Sequence, residues 1–460
     1  MPLVITEKHH AELQRHLHGG DGLESAAVLL CSLSEYKGSH KLFCRHVFLI
    51  PNEKCVRTPA SISWPSAQIE AALESAGATD VVPILIHAHP NGYWGFSEID
   101  NCSDGEIIPY LQEENRWELA GSAVMMPDGS ILCRTYRADG VGRILDSVQV
   151  IGSSLVFFFS DRMSNCGLAY SSKMTALLNR LSVCVVGVSG TGSIIAEQVG
   201  RLGFGKIVLV DPDRIERRNL NRVLSASTAD AESGALKAFV AAQAIKAHRA
   251  EVNTLELNEE IGSVEAVLEA GHADVVFCCV DSASGRMICD LIAAYFMVPL
   301  IDMGVTIPVT VGDIGPEIAD VIGRVDFVHP KSASLRDRGV YDQNALRTES
   351  LEKSAPEQLK KELVEGYITG AHDEAPSVIS LNMQAAAIAV NEFIARCFQV
   401  RFDDNAKFAR TIFSLSEMET EHYSDEYLGA RITPAVTGLG DAAPLLGIPG
   451  LQDQRSGGAI

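Results

Sequence analysis

The stretch VCVVGVSGTGSIIA, residues 183–196, decides the fold. Val183–Val186 reads as a buried strand, and Ser193–Leu202 as an apolar helix. Between them Gly187, Gly190 and Gly192 let the chain turn tightly and let phosphates approach the backbone. The helix that follows offers free N–H groups and its positive dipole end to an anion. Strands and helices go on alternating: Lys206–Val210, helix Ala235–Ala247, Val275–Val280, helix Ser284–Phe296, then Leu300–Gly304. That alternation predicts an α/β, Rossmann-like, mostly parallel sheet with helices on both faces.

Asp211 ends the strand KIVLVD, 24 positions after Gly187, where a carboxylate meets ribose hydroxyls. To this point a dinucleotide site fits equally well, although Ser189 stands at the middle glycine position. The residues beyond Asp211 separate the two chemistries. Asp213, Asn219 and Arg222 place carboxylate, amide and guanidinium groups just past the ribose position, and Lys237 adds an ammonium at the next helix start. Asp281-Ser282 ends VVFCCV, where a magnesium-binding carboxylate belongs. Hydride transfer needs no such set. Driving a carboxylate onto the α-phosphate of ATP does, because charge develops there in the transition state.

This pattern resembles the ThiF/MoeB family, which has the fold of ubiquitin-activating enzymes. It is carried by Gly187/Gly190/Gly192, Asp211/Asp213, Asn219-Leu220-Asn221-Arg222, Gly234/Lys237 and Asp281-Ser282 with Arg286, within residues 161–399. The resemblance implies ATP and Mg2+ as ligands, and catalytic roles for Arg222, Lys237 and Asp281. It also implies that Arg162 is an entry arginine reaching an ATP phosphate, across the interface of a homodimer. Members that form a thioester carry a cysteine in the long crossover after the strand matching Leu300–Gly304. Here only Cys289 occurs between Arg286 and Ala395, and no cysteines have C-x-x-C spacing, so adenylation without a crossover thioester is expected. Cys166 and Cys397 are the remaining thiols weighed, the latter as a core residue.

The first part of the chain has another texture. Ile5–Leu17 suits a helix, Ser25–Leu33 and Lys41–Ile50 strands, Pro65–Ala76 a helix, Val81–His87 a strand, and Leu119–Arg137 two strands about Pro127-Asp128-Gly129. His87 and His89 stand two apart at the end of an apolar strand, so both imidazoles point to one side. With Asp100 they make a catalytic-zinc ligand set of two imidazoles and one carboxylate, the fourth position being left to water. Glu24, heading the strand ESAAVLLC, is the expected general base, with Glu70 and Glu74 as competitors. Ser97 is the expected donor to a developing oxyanion. The order Glu24, His87-x-His89-Pro90, Ser97, Asp100 resembles the JAMM/MPN (JAB) metallopeptidases, over roughly the first 140 residues. That resemblance implies an α/β zinc hydrolase cutting after the C-terminal glycines of ubiquitin-like proteins.

The expected organisation is a hydrolase domain over 1–145, a linker and arginine-bearing entry segment over 146–175, a nucleotide domain over 176–400 and a C-terminal extension over 401–460. Gly315–Glu374 reads as a helical excursion, Ser377–Phe398 as an apolar helix, and the tail as two strands before a Pro/Gly-rich end whose Gly457-Gly458 reads as flexible tail.

With 38 Lys and Arg against 59 Asp and Glu, the net charge of −21 argues against a phosphate-tracking nucleic-acid surface. MPLVITEKHH lacks a basic start followed by an apolar core, and the apolar run 151–159 is too short for a bilayer, so a cytoplasmic protein without a leader or a membrane partner is expected. The composite reading is a bifunctional enzyme of a bacterial ubiquitin-like or sulfur-carrier pathway. Zinc-dependent cleavage would release a Gly-Gly tail, and ATP would then adenylate it. The alternatives are a single active centre with the other half a scaffold, and an NAD-dependent oxidoreductase with a metal-binding appendage.

Overall fold

The computed structural model describes residues 1–76, 81–113, 115–165, 168–311, 316–359, 378–432 and 436–451. The chain divides into two compact units. The first comprises Met1–Cys166, Tyr295–Met297 and Val436–Ala442, and the second the remainder.

Unit 1 is built on a nine-stranded sheet in the order β11-β10-β1-β3-β2-β6-β7-β8-β9. The strands are β1 (Pro2–Thr6), β2 (Ala26–Tyr36), β3 (Ser39–Leu49), β6 (Val82–Ala88), β7 (Ala120–Met125), β8 (Ile131–Tyr136), β9 (Arg143–Ile144), β10 (Ser147–Ile151) and β11 (Leu155–Phe159). The short strands β4 (Val56–Arg57) and β5 (Ile62–Ser63) pair separately. Side chains alternate across β2, so its apolar run feeds two cores. Ala27, Leu29 and Cys31 pack with Leu13 and Leu17 of helix α1 (Glu7–Leu17). Ala26, Val28 and Leu30 pack with Ile69 and Ala72 of α2 (Ala67–Ala76) and with Ile108 and Leu111 of α3 (Glu98–Glu113).

Unit 2 has an eight-stranded sheet, β14-β13-β12-β15-β16-β19-β20-β21. The parallel part is β12 (Ser182–Val186), β13 (Lys206–Val210), β14 (Asn253–Leu257), β15 (Val275–Cys278) and β16 (Leu300–Thr306). Strands β19 (Ile322–Val328), β20 (Arg410–Ser414) and β21 (Glu419–Tyr423) extend it antiparallel, and β17 (Val309–Val311) and β18 (Pro316–Ile318) form a separate hairpin. Its described helices of six residues or more are α4 (Ser172–Leu178), α5 (Gly190–Leu202), α6 (Thr228–Ser233), α7 (Lys237–His248), α8 (Val264–His272), α9 (Ala283–Tyr295), α10 (Gln343–Ser354) and the long helix Ile379–Cys397. Because β12 is flanked by β13 on one side and β15 on the other, the chain reverses direction around it, and the crevice at this switch point is where ligands bind in such sheets.

Several expectations need correction. Residues 5 and 6 finish strand β1, and the helix starts only at Glu7, where the Thr6 hydroxyl accepts the His9 N–H. Residues 147–159, expected in a linker, form β10 and β11 of the first sheet, and residues 410–423, expected in an extension, complete the second. The helical excursion begins instead with β18 and β19, and β14 and α8 were not anticipated. Cys166, residues 360–374 of the excursion and Gly457-Gly458 lie outside the described residues. Among the described residues, no helix is long and apolar enough to cross a membrane.

Candidate functional sites

In unit 1 the register of β2 against β6 pairs Ala26 with His87, which sets Glu24 opposite His89 if the ladder is continued. Alternation then turns Glu24, His87 and His89 to one face, the face covered by α3. The N-terminus of α3 brings the third group. Ser97 donates its backbone N–H to Asp100 Oδ2 at 2.6 Å, and the Asp100 N–H returns to Ser97 Oγ at 3.2 Å. This reciprocal cap fixes the Asp100 carboxylate.

His87 Nε2 lies 3.2 Å from His89 Nε2 and 3.2 Å from Asp100 Oδ1, and His89 Nε2 lies 3.6 Å from Asp100 Oδ2. Ligand atoms about 2.0–2.1 Å from a tetrahedral zinc sit about 3.3 Å apart, so the three groups fit that ion. The His89 ring supports the fit, because Nδ1 donates to the Tyr93 carbonyl at 2.8 Å and so Nε2 keeps its lone pair. Asp100 is held well below the usual carboxylate range: burial opposes its charge, but the adjoining His87 and His89 and the Ser97 N–H outweigh it.

Glu24 is buried, and burial raises its carboxyl despite the pull of the histidines. Glu70 and Glu74 are exposed on α2, so Glu24 is the carboxylate that senses the cluster. The Ser97 hydroxyl oxygen accepts in the cap, so its proton is what it has to donate. Arg162 follows β11 within unit 1, adopts φ +66°, is exposed and lies 5.5 Å from the Trp94 ring.

One group in this unit was not anticipated. Asp104 is buried and accepts from the Ser122 hydroxyl, from Arg134 Nε at 3.0 Å and from Tyr136 OH at 2.8 Å. Arg134 Nη1 also donates to Asn101 Oδ1 at 2.6 Å. These contacts tie α3 to β7 and β8. In sequence, the only hint is an Asp at i+4 from Asp100 in a helix.

In unit 2 the glycine turn is closed on itself. Gly187 has φ +83°, and a Cβ on Gly192 would stand 1.7 Å from the Gly187 carbonyl, so no side chain fits there. Helix α5 begins at Gly190, three residues earlier than predicted, because the glycines themselves form its first turn. Asp211 is buried beneath the turn. It accepts the Val188 N–H at 2.6 Å and the Asp213 N–H at 2.9 Å, and burial raises its carboxyl. It therefore shapes the turn.

Asp213 is largely exposed and accepts from Lys237 Nζ at 2.7 Å, while the Lys237 side chain is nearly buried at the start of α7. Asn219 turns its Oδ1 to the Glu216 N–H, which folds the loop that carries Arg222. Arg222 passes beside Gly190, its Cδ 3.5 Å from where a Cβ would stand, and Nη1 donates to the Arg218 carbonyl at 2.9 Å. Asp281 is exposed after β15, and Ser282 Oγ accepts the Gly285 N–H at 3.2 Å. The glycine turn, Asp211 and Arg222 thus meet at the end of β12, the Asp213–Lys237 pair borders the Asp211 loop, and Asp281 stands at the end of the neighbouring strand.

Two unforeseen residues adjoin this site. Asn382 is buried, and its Nδ2 would lie 2.5 Å from a Cβ on Gly190. A lone Asn on the inner side of the apolar helix 379–397 was its available signal. Glu349 of α10 accepts the Ala283 N–H, and the Ser284 N–H at 2.9 Å, at the N-terminus of α9. Of the thiols weighed, Cys289 and Cys397 are buried, and burial pushes Cys397 well up.

A parallel sheet with a glycine turn at its switch point, an acidic residue beneath the turn and cationic side chains around it defines a Rossmann-like nucleotide-binding domain. The ThiF family matches residues 165–426, more than half of the chain, and the chain belongs to that family. Among relatives, it is 34% identical over 122 residues to ubiquitin-like modifier-activating enzyme 5 of Aedes aegypti, covering 24% of this chain and 30% of that protein. The same enzyme of Dictyostelium discoideum is 30% identical over 118 residues, covering 24% and 31%. The matched stretch thus spans about a third of those relatives or less. Among solved structures, E. coli MccB with ATP is 13% identical, covers 90% of this chain and 100% of that one, and has a TM-score of 0.41. E. coli MccB with succinimide is 18% identical, covers 58% and 69%, and has a TM-score of 0.42. Likeness this distant carries no function.

Proposed function

We propose that unit 2 uses ATP to adenylate the C-terminal glycine carboxylate of a small ubiquitin-like or sulfur-carrier protein ending in Gly-Gly. Membership of the ThiF family is the observation that carries this reading, and it favours ATP over a dinucleotide. The turn Gly187/Gly190/Gly192 and the N-terminus of α5 would hold phosphates by backbone N–H groups. Asp211 and Asp213 would face the ribose. Arg222, Asn219 and Lys237 would meet charge on the phosphates, and Asp281 with Ser282 would hold Mg2+. The carboxylate oxygen attacks the α-phosphorus, the bond to the bridging oxygen breaks, and pyrophosphate leaves with the electron pair, giving an acyl adenylate. Because the only thiol between Arg286 and Ala395 is the buried Cys289, the adenylate passes directly to its acceptor. Pyrophosphate exchange into ATP, dependent on a Gly-Gly free acid, tests the reading; exchange absent from the pure full chain with a cognate partner would overturn it.

For unit 1 we propose a JAMM/MPN-type (JAB) zinc hydrolase that frees the same tail. Three ligand atoms 3.2–3.6 Å apart support it. His87, His89 and Asp100 would hold zinc, which when bound supplies an acidified water as nucleophile. Glu24 would take up the proton of that water and deliver it to the leaving amine, with Ser97 facing the oxyanion. Cleavage of a fusion to a Gly-Gly tail, lost on chelation and restored by zinc, is the test. A homodimer in which Arg162 serves the neighbouring nucleotide is part of the proposal. Mixing Arg162→Ala with Asp281→Ala subunits should then restore exchange.

A further inference from the structure

We propose that Arg286 and Arg324 form a carboxylate-binding subsite over Gly304, which takes the terminal carboxylate of the polypeptide that unit 2 activates. The inference rests on the adenylation reading above. Gly304 stands in register with Arg324 across the β16–β19 pair, near the carboxyl end of β16. A Cβ built on it would lie 3.3 Å from Arg324 Nη2 and 3.4 Å from Arg286 Nη2. Two guanidinium ends therefore converge on one point above a residue with no side chain. Any larger residue there would fill the space between them.

The charges around this point are unevenly shared. Asp302, fully buried, is the near carboxylate for both arginines: Arg324 Nη2 donates to its Oδ2 at 2.6 Å, and Arg286 Nε lies 3.4 Å from its Oδ1. The other arm of Arg324 goes to Asp326, but that carboxylate also serves Arg338 Nη1 at 3.0 Å and Arg410 Nε at 2.8 Å. Asp302 Oδ1 and Arg286 Nε both lack a hydrogen bond of proper geometry among the described residues. Arg286 and Arg324 share Asp302, and Arg324's second partner, Asp326, is divided with Arg338 and Arg410, in a chain whose net charge is −21. A further anion would relieve the crowding of these cations, and a planar carboxylate suits guanidinium forks.

Position chooses the carboxylate over a phosphate. Strand β15 lies between β12 and β16, so Gly304 is about 10 Å from the strand that carries the glycine turn. Asp281 stands between the two, and Arg286 Nη1 donates to its carbonyl at 3.3 Å. Phosphates held at the turn would have the subsite on the far side of Asp281. An acyl group must reach the α-phosphate from the side opposite the departing pyrophosphate. Both arginine side chains keep some exposure, 16% and 18%, so a ligand can reach them.

The test uses the full chain and a short synthetic peptide ending in Gly-Gly, as free acid and as C-terminal amide. Peptide binding is read by fluorescence anisotropy, ATP binding separately, and pyrophosphate exchange as the reaction. Arg324→Gln should weaken binding of the acid about tenfold or more and leave ATP affinity unchanged, with part recovered in Arg324→Lys. Gly304→Ala, which blocks the space and keeps every charge, should do the same, and it decides the matter if Arg324→Gln fails to fold. Unchanged acid binding in Gly304→Ala, ATP affinity falling in step, or a wild type that binds amide and acid alike would each overturn the subsite. A wild type that prefers the acid yet shows no exchange would keep the subsite and sink the adenylation reading.

Discussion

Asp100 and Asp104 lie one helical turn apart on α3, the first joining His87 and His89 and the second buried among Ser122, Arg134 and Tyr136. The three inner contacts thus hold the helix that carries the outer carboxylate, beside the Ser97 cap. Arg134 also lies 3.7 Å over the Phe96 ring, so its charge is doubly committed in the buried network. Asp104→Asn should leave a buried guanidinium underpaired and loosen α3. We expect zinc affinity to fall roughly 10–100-fold, as outer-shell changes do, with a lower melting temperature. Competition with a chelating dye measures the first, and unchanged affinity would show that Ser97 alone positions Asp100.

Removing a ligand is a harsher change than loosening one. His87→Ala, His89→Ala or Asp100→Ala should each leave the purified protein without stoichiometric zinc, because a two-ligand site holds the ion weakly. Glu24→Gln should keep the metal, since Glu24 is not among the three converging ligands, and lose cleavage by at least about 100-fold. Metal content by mass spectrometry and turnover of a Gly-Gly fusion separate the two effects. Wild-type turnover in Glu24→Gln would move the general base elsewhere.

Legibility followed sequence distance. His87 and His89 are two residues apart on a strand, and the glycines fall within six, so local pattern alone places them together. The Ser97–Asp100 cap is also local, but Ser97 draws attention through its hydroxyl, whereas the cap also uses its backbone N–H. Asp104 with Arg134, Glu349 with Ala283, and Arg324 with Gly304 meet only through tertiary pairing, which no periodicity announces. Strand β1 was hidden because MPLVIT is short and runs without a turn into the capped helix. Strand β19 was hidden because IGRVDFV carries two charges that the buried Asp302–Asp326 network absorbs.

The two centres should fail independently. Asp281→Ala should abolish pyrophosphate exchange and leave fusion cleavage within about twofold, as Asp281 is an exposed residue just after β15 in unit 2. Lys237→Met should also remove exchange, but with a stability change, because it strips Asp213 of its partner at 2.7 Å and puts a shorter, uncharged side chain in the nearly buried position. Parallel exchange and cleavage assays on each variant check this. Loss of both activities in Asp281→Ala with an intact melting curve would require a coupling between the centres.

Glu349 gives the last expectation. Helix α10 has no buried residue, yet Glu349 accepts the Ala283 and Ser284 N–H groups directly after Asp281-Ser282. A carboxylate at a helix N-terminus is favoured both by the unsatisfied N–H groups and by the helix dipole. Lys353, bonded to Glu260 at 2.9 Å, is largely exposed and adds little to holding α10 in place. Glu349→Gln keeps the shape but weakens the cap by about 1 kcal/mol, so the first turn of α9 should exchange its amide hydrogens about fivefold faster. The half-saturating concentration of ATP–Mg should rise with it, since the same turn carries Asp281, while the melting temperature moves little. Hydrogen exchange resolved over 281–290 is the deciding measurement. Protection there equal to wild type would mean that the strand end, and not Glu349, holds Asp281 in place.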